Sequence, residues 1–171
     1  GGSLGARTIN DSMKEAAPAL LQSGAAILWQ TGKNYAEECQ ATEKKINDPN
    51  LKAVPFVSRM DLAYRAADVV VSRAGASTIS EIQLVGAPAI LVPSPNVAED
   101  HQRKNAEALS SRDAAVMIFD RDCKEQLRDA VTALLRDKKQ RDTLSANVRS
   151  MAMENSDERI VDEIMKLIND K

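Results

Sequence analysis

Apolar residues recur every three to four positions in some stretches and bunch into short runs in others, and the two patterns alternate almost from end to end. Ile9, Met13, Ala16 or Ala17 and Leu20 form one helical stripe, which Gly24 ends. Residues 25–30 (AAILWQ) are a short apolar run closed by Thr31, Gly32 and Lys33, and predict a strand. A helix rich in Glu and Lys follows over residues 35–46, stopped by Asp48, Pro49 and Asn50. Residues 52–57 predict a second strand, which Pro55 either weakens or moves to a sheet edge.

A short helix over 60–67 leads into the β-branched run at 68–72, the strongest strand signal in the chain. A loop containing Gly75 then opens a helix over 77–85, closed by Gly86, and residues 88–93 (PAILVP) predict a buried strand. A helix over 99–109 and a strand over 114–119 follow. The remainder is helical, with stripes Leu127, Val131, Leu134, then Leu144, Val148, Met151, then Ile160, Ile164, Leu167, Ile168; Asn155 and Glu158 have the spacing of a cap and its partner. Strands alternating with helices imply an α/β fold, a Rossmann-like parallel sheet with helices on both faces. Such sheets bind ligands at the carboxyl ends of their strands, so function is expected in the loops at 1–5, 31–33, 56–60, 73–78 and 94–102.

Composition narrows the function. At 171 residues, 43% hydrophobic and 28% charged, the chain has the balance of one ordinary globular domain. A net charge of −2 and 3% aromatic content give no reason to expect a nucleic-acid partner. No apolar run approaches the roughly 20 residues of a membrane-spanning helix. Cys39 and Cys123 are far apart without CxxC spacing, which fits a reducing cytoplasm and neither a disulfide framework nor a zinc site. The chain opens on Gly1-Gly2-Ser3-Leu4-Gly5 without an initiator Met, and is expected to be a piece of a longer protein.

Two glycine loops carry the chemistry. Gly1 to Arg7 precedes a helix, where backbone can approach an anion and helix N–H groups can meet it, although the spacing matches neither GxGxxG nor the P-loop. A tight turn without a ligand is the equal alternative. The second loop, Arg73-Ala74-Gly75-Ala76-Ser77-Thr78, would turn the Ser77 and Thr78 hydroxyls toward a phosphate, with Glu81 one turn on within reach of a ribose diol. Thr78 and Glu81 also have capping-box spacing. Together the loops suit a diphosphate-bearing ligand. Asp100, His101 and Gln102, with Asn105 one turn on, could read sugar hydroxyls; a lone His101 without a nucleophile is discounted as a general base.

GGSLGAR at 1–7, FVSRM at 56–60, ADVVVSR at 67–73, RAGASTISE at 73–81 and EDHQRKNA at 99–106 resemble, in order and spacing, the donor-binding half of the MurG family. Enzymes of that family transfer GlcNAc from UDP-GlcNAc to the lipid-linked acceptor lipid I, forming lipid II for peptidoglycan. The resemblance covers essentially all 171 residues and implies one half of a GT-B glycosyltransferase, the C-terminal UDP-GlcNAc-binding domain, with the N-terminal acceptor domain and the first strand absent. It implies that Ser3 lies near the diphosphate, and that Val57, flanked by Phe56 and Met60, meets the uracil through backbone and apolar contact. Ala76, Ser77 and Thr78 would face the phosphates, Glu81 the ribose, and His101 and Gln102 the GlcNAc. Some family members have Gln where this chain has His101, so Gln102 is the firmer sugar contact.

No catalytic residue, metal site or cofactor is expected in this piece, which should bind donor weakly and turn over little or nothing. Lipid I would be engaged through the missing domain, at the cytoplasmic face of the bacterial inner membrane; the piece itself is expected to be soluble. Another GT-B UDP-sugar enzyme and a non-catalytic donor-binding subunit are the alternatives. An NAD-binding domain is disfavoured, since the strand at 25–30 ends in Gln-Thr-Gly and not in an acidic residue. A parallel sheet lacking its first strand is expected to leave unpaired backbone, and with it reduced stability or pairing with a neighbour.

Overall fold

The protein is described by a computed structural model covering residues 2, 4–95, 100–153, 161 and 164–166. The first stripe forms α1 (Arg7–Gln22), which buries Ile9, Met13, Ala16, Ala17, Leu20 and Leu21. Pro18 sits inside α1 on its exposed side, where water can take the Lys14 carbonyl that loses its helical partner. β1 (Ile27–Gln30) pairs in parallel with β2 (Leu51–Val54), Trp29 opposite Ala53 and Leu28 opposite Lys52. Trp29, Leu51 and Ala53 are buried, whereas Leu28, on the other face, is exposed. A second parallel sheet has the order β3 (Val70–Ser72), β4 (Ala89–Leu91), β5 (Val116–Met117).

The helices divide between two core clusters. On one side α1, Cys39 of α2 (Ala36–Ile46) and the Cys123, Leu127, Val131, Leu134 stripe of α6 (Cys123–Arg136) cover Trp29, Leu51, Ile90 and Val92. On the other, Tyr64 of α3 (Met60–Ala66), Ile79 and Ile82 of α4 (Ala76–Val85), Ala106 and Leu109 of α5 (His101–Ser110) and Val148 of α7 (Lys138–Ser150) cover Ala89 and Leu91. β4 therefore sends alternate residues into opposite clusters, the period-two signature of a strand buried on both faces. The expected parallel α/β architecture with helices on both faces is what the chain adopts.

The strands expected over 25–30, 68–72, 88–93 and 114–119 form, but each is shorter, the last being only Val116–Met117. The second strand stops at Val54, because Pro55 has no N–H to continue a ladder. The sheet is also in two pieces: among the described residues β1 pairs only with β2, and β3 only with β4. Of the third C-terminal stripe, Ile164 is helical and half exposed, whereas Ile160, Leu167 and Ile168, with the Asn155 and Glu158 cap, lie outside the described residues. No helix among the described residues is long and apolar enough to cross a membrane.

Candidate functional site

The loop ahead of α1 lies against the carboxyl end of β1. A Cβ placed on Gly32 would stand 2.1 Å from the backbone nitrogen of Gly5, and one on Gly5 would stand 2.4 Å from the Thr31 carbonyl oxygen. Their φ angles of +77° and +94° are also ones that side chains avoid. Asn10 of α1, only 2% exposed, fastens this junction: its Nδ2 donates to the Thr31 carbonyl (2.9 Å), and its Oδ1 accepts from Trp29 Nε1 (2.9 Å). Ser3, the residue expected nearest a diphosphate, lies outside the described residues.

The loop after β3 delivers the start of α4. Gly75 is the N-cap and no side chain caps the helix. The first ladder bond runs from Ile79 N–H to the Gly75 carbonyl (3.0 Å), so the N–H groups of Ala76, Ser77 and Thr78 precede the ladder and form the positive end of the helix. Ala76 and Ser77 are exposed and Thr78 is half-buried. The capping-box alternative for Thr78 and Glu81 does not form, because the helix begins two residues before Thr78.

Glu81 is exposed on α4 and faces the buried phenol of Tyr64 from α3. Burial, then the Glu81 charge and the hydrogen bond donated to it, push the phenol from 10.0 up to about 12. The folded state thus holds the Tyr64 proton more tightly than the unfolded chain does. Its contribution to stability is complete below pH 10 and is lost as pH climbs through about 12. Tyr64→Phe should remove that part of the alkaline loss, read by denaturant unfolding at stepped pH, and should delete a late-titrating phenolate from the ultraviolet spectrum.

α5 opens on Asp100, whose φ is +58°, followed by the exposed His101. Gln102 is half-buried and its Oε1 accepts from the Ser94 N–H (2.9 Å), which ties α5 to the loop before it. Asn105 Nδ2 donates to the Ala74 carbonyl (3.1 Å) and ties α5 to the loop before α4. After β2, Phe56 is exposed, Val57 is half-buried and Met60 packs partly against the second core cluster. The Val57 N–H donates to Gln30 Oε1 (2.9 Å), so one of the two backbone groups expected to meet a base is already engaged.

Sequence reasoning missed a group that the structure places among these loops. Asp120, in the turn Asp120–Asp122 after β5, accepts through Oδ2 from Thr8 Oγ1 (2.9 Å) and pairs through Oδ1 with the Arg73 guanidinium. Arg73 Nη1 also donates to the carbonyls of Val92 (3.1 Å) and Pro93 (3.3 Å). Arg73 stood in two of the quoted motifs, but nothing in its spacing named a partner 47 residues away. Gln30, Tyr64 and Asn10 were missed for the same reason.

The chain matches the glycosyltransferase family 28 C-terminal domain over residues 1–164. It is 51% identical over 98% of its length to a UDP-N-acetylglucosamine–N-acetylmuramyl-(pentapeptide) pyrophosphoryl-undecaprenol N-acetylglucosamine transferase of Porphyromonas gingivalis, and 48% identical over its whole length to the Parabacteroides distasonis protein of the same name. It spans 44% and 46% of those two proteins, a little under half. The crystal structure of Acinetobacter baumannii MurG superposes with a TM-score of 0.77 at 29% identity, covering 96% of this chain and 50% of that one. The chain belongs to the family of glycosyltransferase family 28 C-terminal domains.

Proposed function

We propose that this chain is the donor-binding domain of an inverting N-acetylglucosaminyltransferase, holding UDP-GlcNAc for transfer to an undecaprenyl-diphosphate-linked MurNAc-pentapeptide. The observation that supports it most is the uncapped start of α4 at the carboxyl edge of the second sheet, with Glu81 one turn inside the helix and Gln102 on the helix bonded to the loop before it. The acceptor hydroxyl attacks the anomeric carbon and gives its proton to a base in the part of the relatives that this chain does not span, the bond to the diphosphate breaks, and the negative charge of the departing UDP meets the N–H groups at the head of α4. Glu81, oriented by the Tyr64 phenol, accepts from the ribose hydroxyls. Val57 and Phe56 border the base, Ser3 the diphosphate, and His101 with Gln102 the sugar. The acceptor and the cytoplasmic membrane face are engaged by the part of the relatives that this chain does not span.

An amide-NMR titration with UDP, UDP-GlcNAc and NAD, without added metal, tests the reading. UDP species alone should shift amides at Val57, residues 76–81 and Gln102, and only UDP-GlcNAc should move His101. Glu81→Ala should weaken UDP binding about tenfold or more, the scale of one hydrogen bond to a charged group, and should also lower the melting temperature by a few degrees, because it strands the buried Tyr64 phenol. A folded protein that responds to NAD, or to none of the three, would overturn the assignment.

A further inference from the structure

We propose that Asp120 is a positioning residue that fixes the start of α1 relative to the start of α4, and so sets the spacing of the two loops assigned above to the donor diphosphate. The ligand in this inference rests on that assignment; the clamp itself does not. α1 and α4 bury their apolar faces in different core clusters, on opposite sides of the strands, so packing alone does not hold their first turns in register. Asp120 bridges them with one carboxylate. Oδ2 takes the hydroxyl of Thr8, the second residue of α1, and Oδ1 takes the guanidinium of Arg73, which opens the loop into α4.

Both partners of the ion pair are largely withdrawn from water, with side-chain exposures of 17% for Arg73 and 20% for Asp120. An ion pair so placed loses much of its attraction to desolvation, and apolar residues of similar volume would fill the space as well. Those residues would supply no direction. Arg73 instead spends its Nη1 on Asp120 and on the Val92 and Pro93 carbonyls just past β4. The end of β3, the residues just past β4, the turn after β5, the start of α1 and the loop into α4 are thereby joined by directional bonds. An anion lying across both loops needs that spacing held before it arrives, since ordering it afterwards weakens binding.

Hydrogen exchange of the 171-residue protein reads the clamp without any ligand. The reporters are the first ladder amides of each helix, Asn10 N–H bonded to the Ala6 carbonyl and Ile79 N–H bonded to the Gly75 carbonyl. In Asp120→Ala both should exchange about tenfold faster while amides in α2 and α7 keep their wild-type rates. Thr8→Val, which removes one hydroxyl and keeps the ion pair, should accelerate Asn10 alone. UDP affinity should fall at least tenfold in Asp120→Ala and less in Thr8→Val. A uniform rise across all helices that follows global stability would make Asp120 merely structural and overturn the proposal, as would unchanged reporters or unchanged UDP affinity in Asp120→Ala beside a binding wild type. If Asp120→Ala does not fold, Thr8→Val and Asp120→Asn decide by the same reporters. Should the wild type bind no UDP, the donor assignment fails and the exchange rates alone judge the clamp.

Discussion

Gly32→Ala is expected to cost about 4 kcal/mol, the largest single effect on stability foreseen here. Gly32 has φ +77° and ψ +159°, a region that only glycine occupies without strain, at about 1–3 kcal/mol for any other residue. The added methyl would also stand 2.1 Å from the Gly5 nitrogen and 2.3 Å from its Cα, atoms of backbone that no rotamer change can move. Overpacking of that kind adds about 1–3 kcal/mol. Urea unfolding should show a lower midpoint with an unchanged slope, and a melting temperature lowered by roughly 10 °C. A midpoint within experimental error of wild type would mean that the residue 4–6 loop does not lie on β1 in solution. Gly5→Ala meets the same junction from the other side, so the double variant should lose less than the sum of the two.

Asn10→Ala is expected to cost about 3 kcal/mol. Truncation strands two buried groups, the Trp29 indole N–H and the Thr31 carbonyl, each worth about 1–3 kcal/mol when left without a partner. Trp29 is the single tryptophan of the chain, so its fluorescence reports on this site alone. Trp29→Phe in the Asn10→Ala background should recover part of the loss, because it deletes one of the stranded groups. Equal stability of Asn10→Ala and wild type would show that water reaches the pair.

Much of the fold was legible because burial writes itself into short apolar runs. Val70, Val71, Ile90 and Leu91 needed no knowledge of their partners to read as strand, and the stripe at Leu127, Val131 and Leu134 read as a helix face. Loop positions followed from the parallel topology. The bonds inside those loops were not legible. Asp120 and Thr8 are 112 residues apart, and an aspartate after a strand has the same local signature whether it caps a helix or holds an arginine. Gln30 was weighed only for not being acidic, whereas its carboxamide holds the Val57 N–H. Tyr64 looked like any core aromatic, since the carboxylate it faces belongs to the next helix. Periodicity records which side of an element is dry; it holds nothing about which polar atoms meet across that side.

The break in the sheet bears on how the protein behaves when concentrated. β2 is dressed as a border strand, with Lys52 pointing outward and Pro55 ending it, and such features discourage other chains from pairing there. β1 and β3 carry no such guards: Ile27–Gln30 and Val70–Ser72 contain neither a charge nor a proline. Their residues are those of interior strands, yet each has a ladder partner on one side only among the described residues. The open sides of β1 and β3 thus lack the charges and prolines that keep a bare strand from pairing with another chain, and Leu28→Lys, at an exposed position of β1, should raise the concentration at which the protein stays monodisperse.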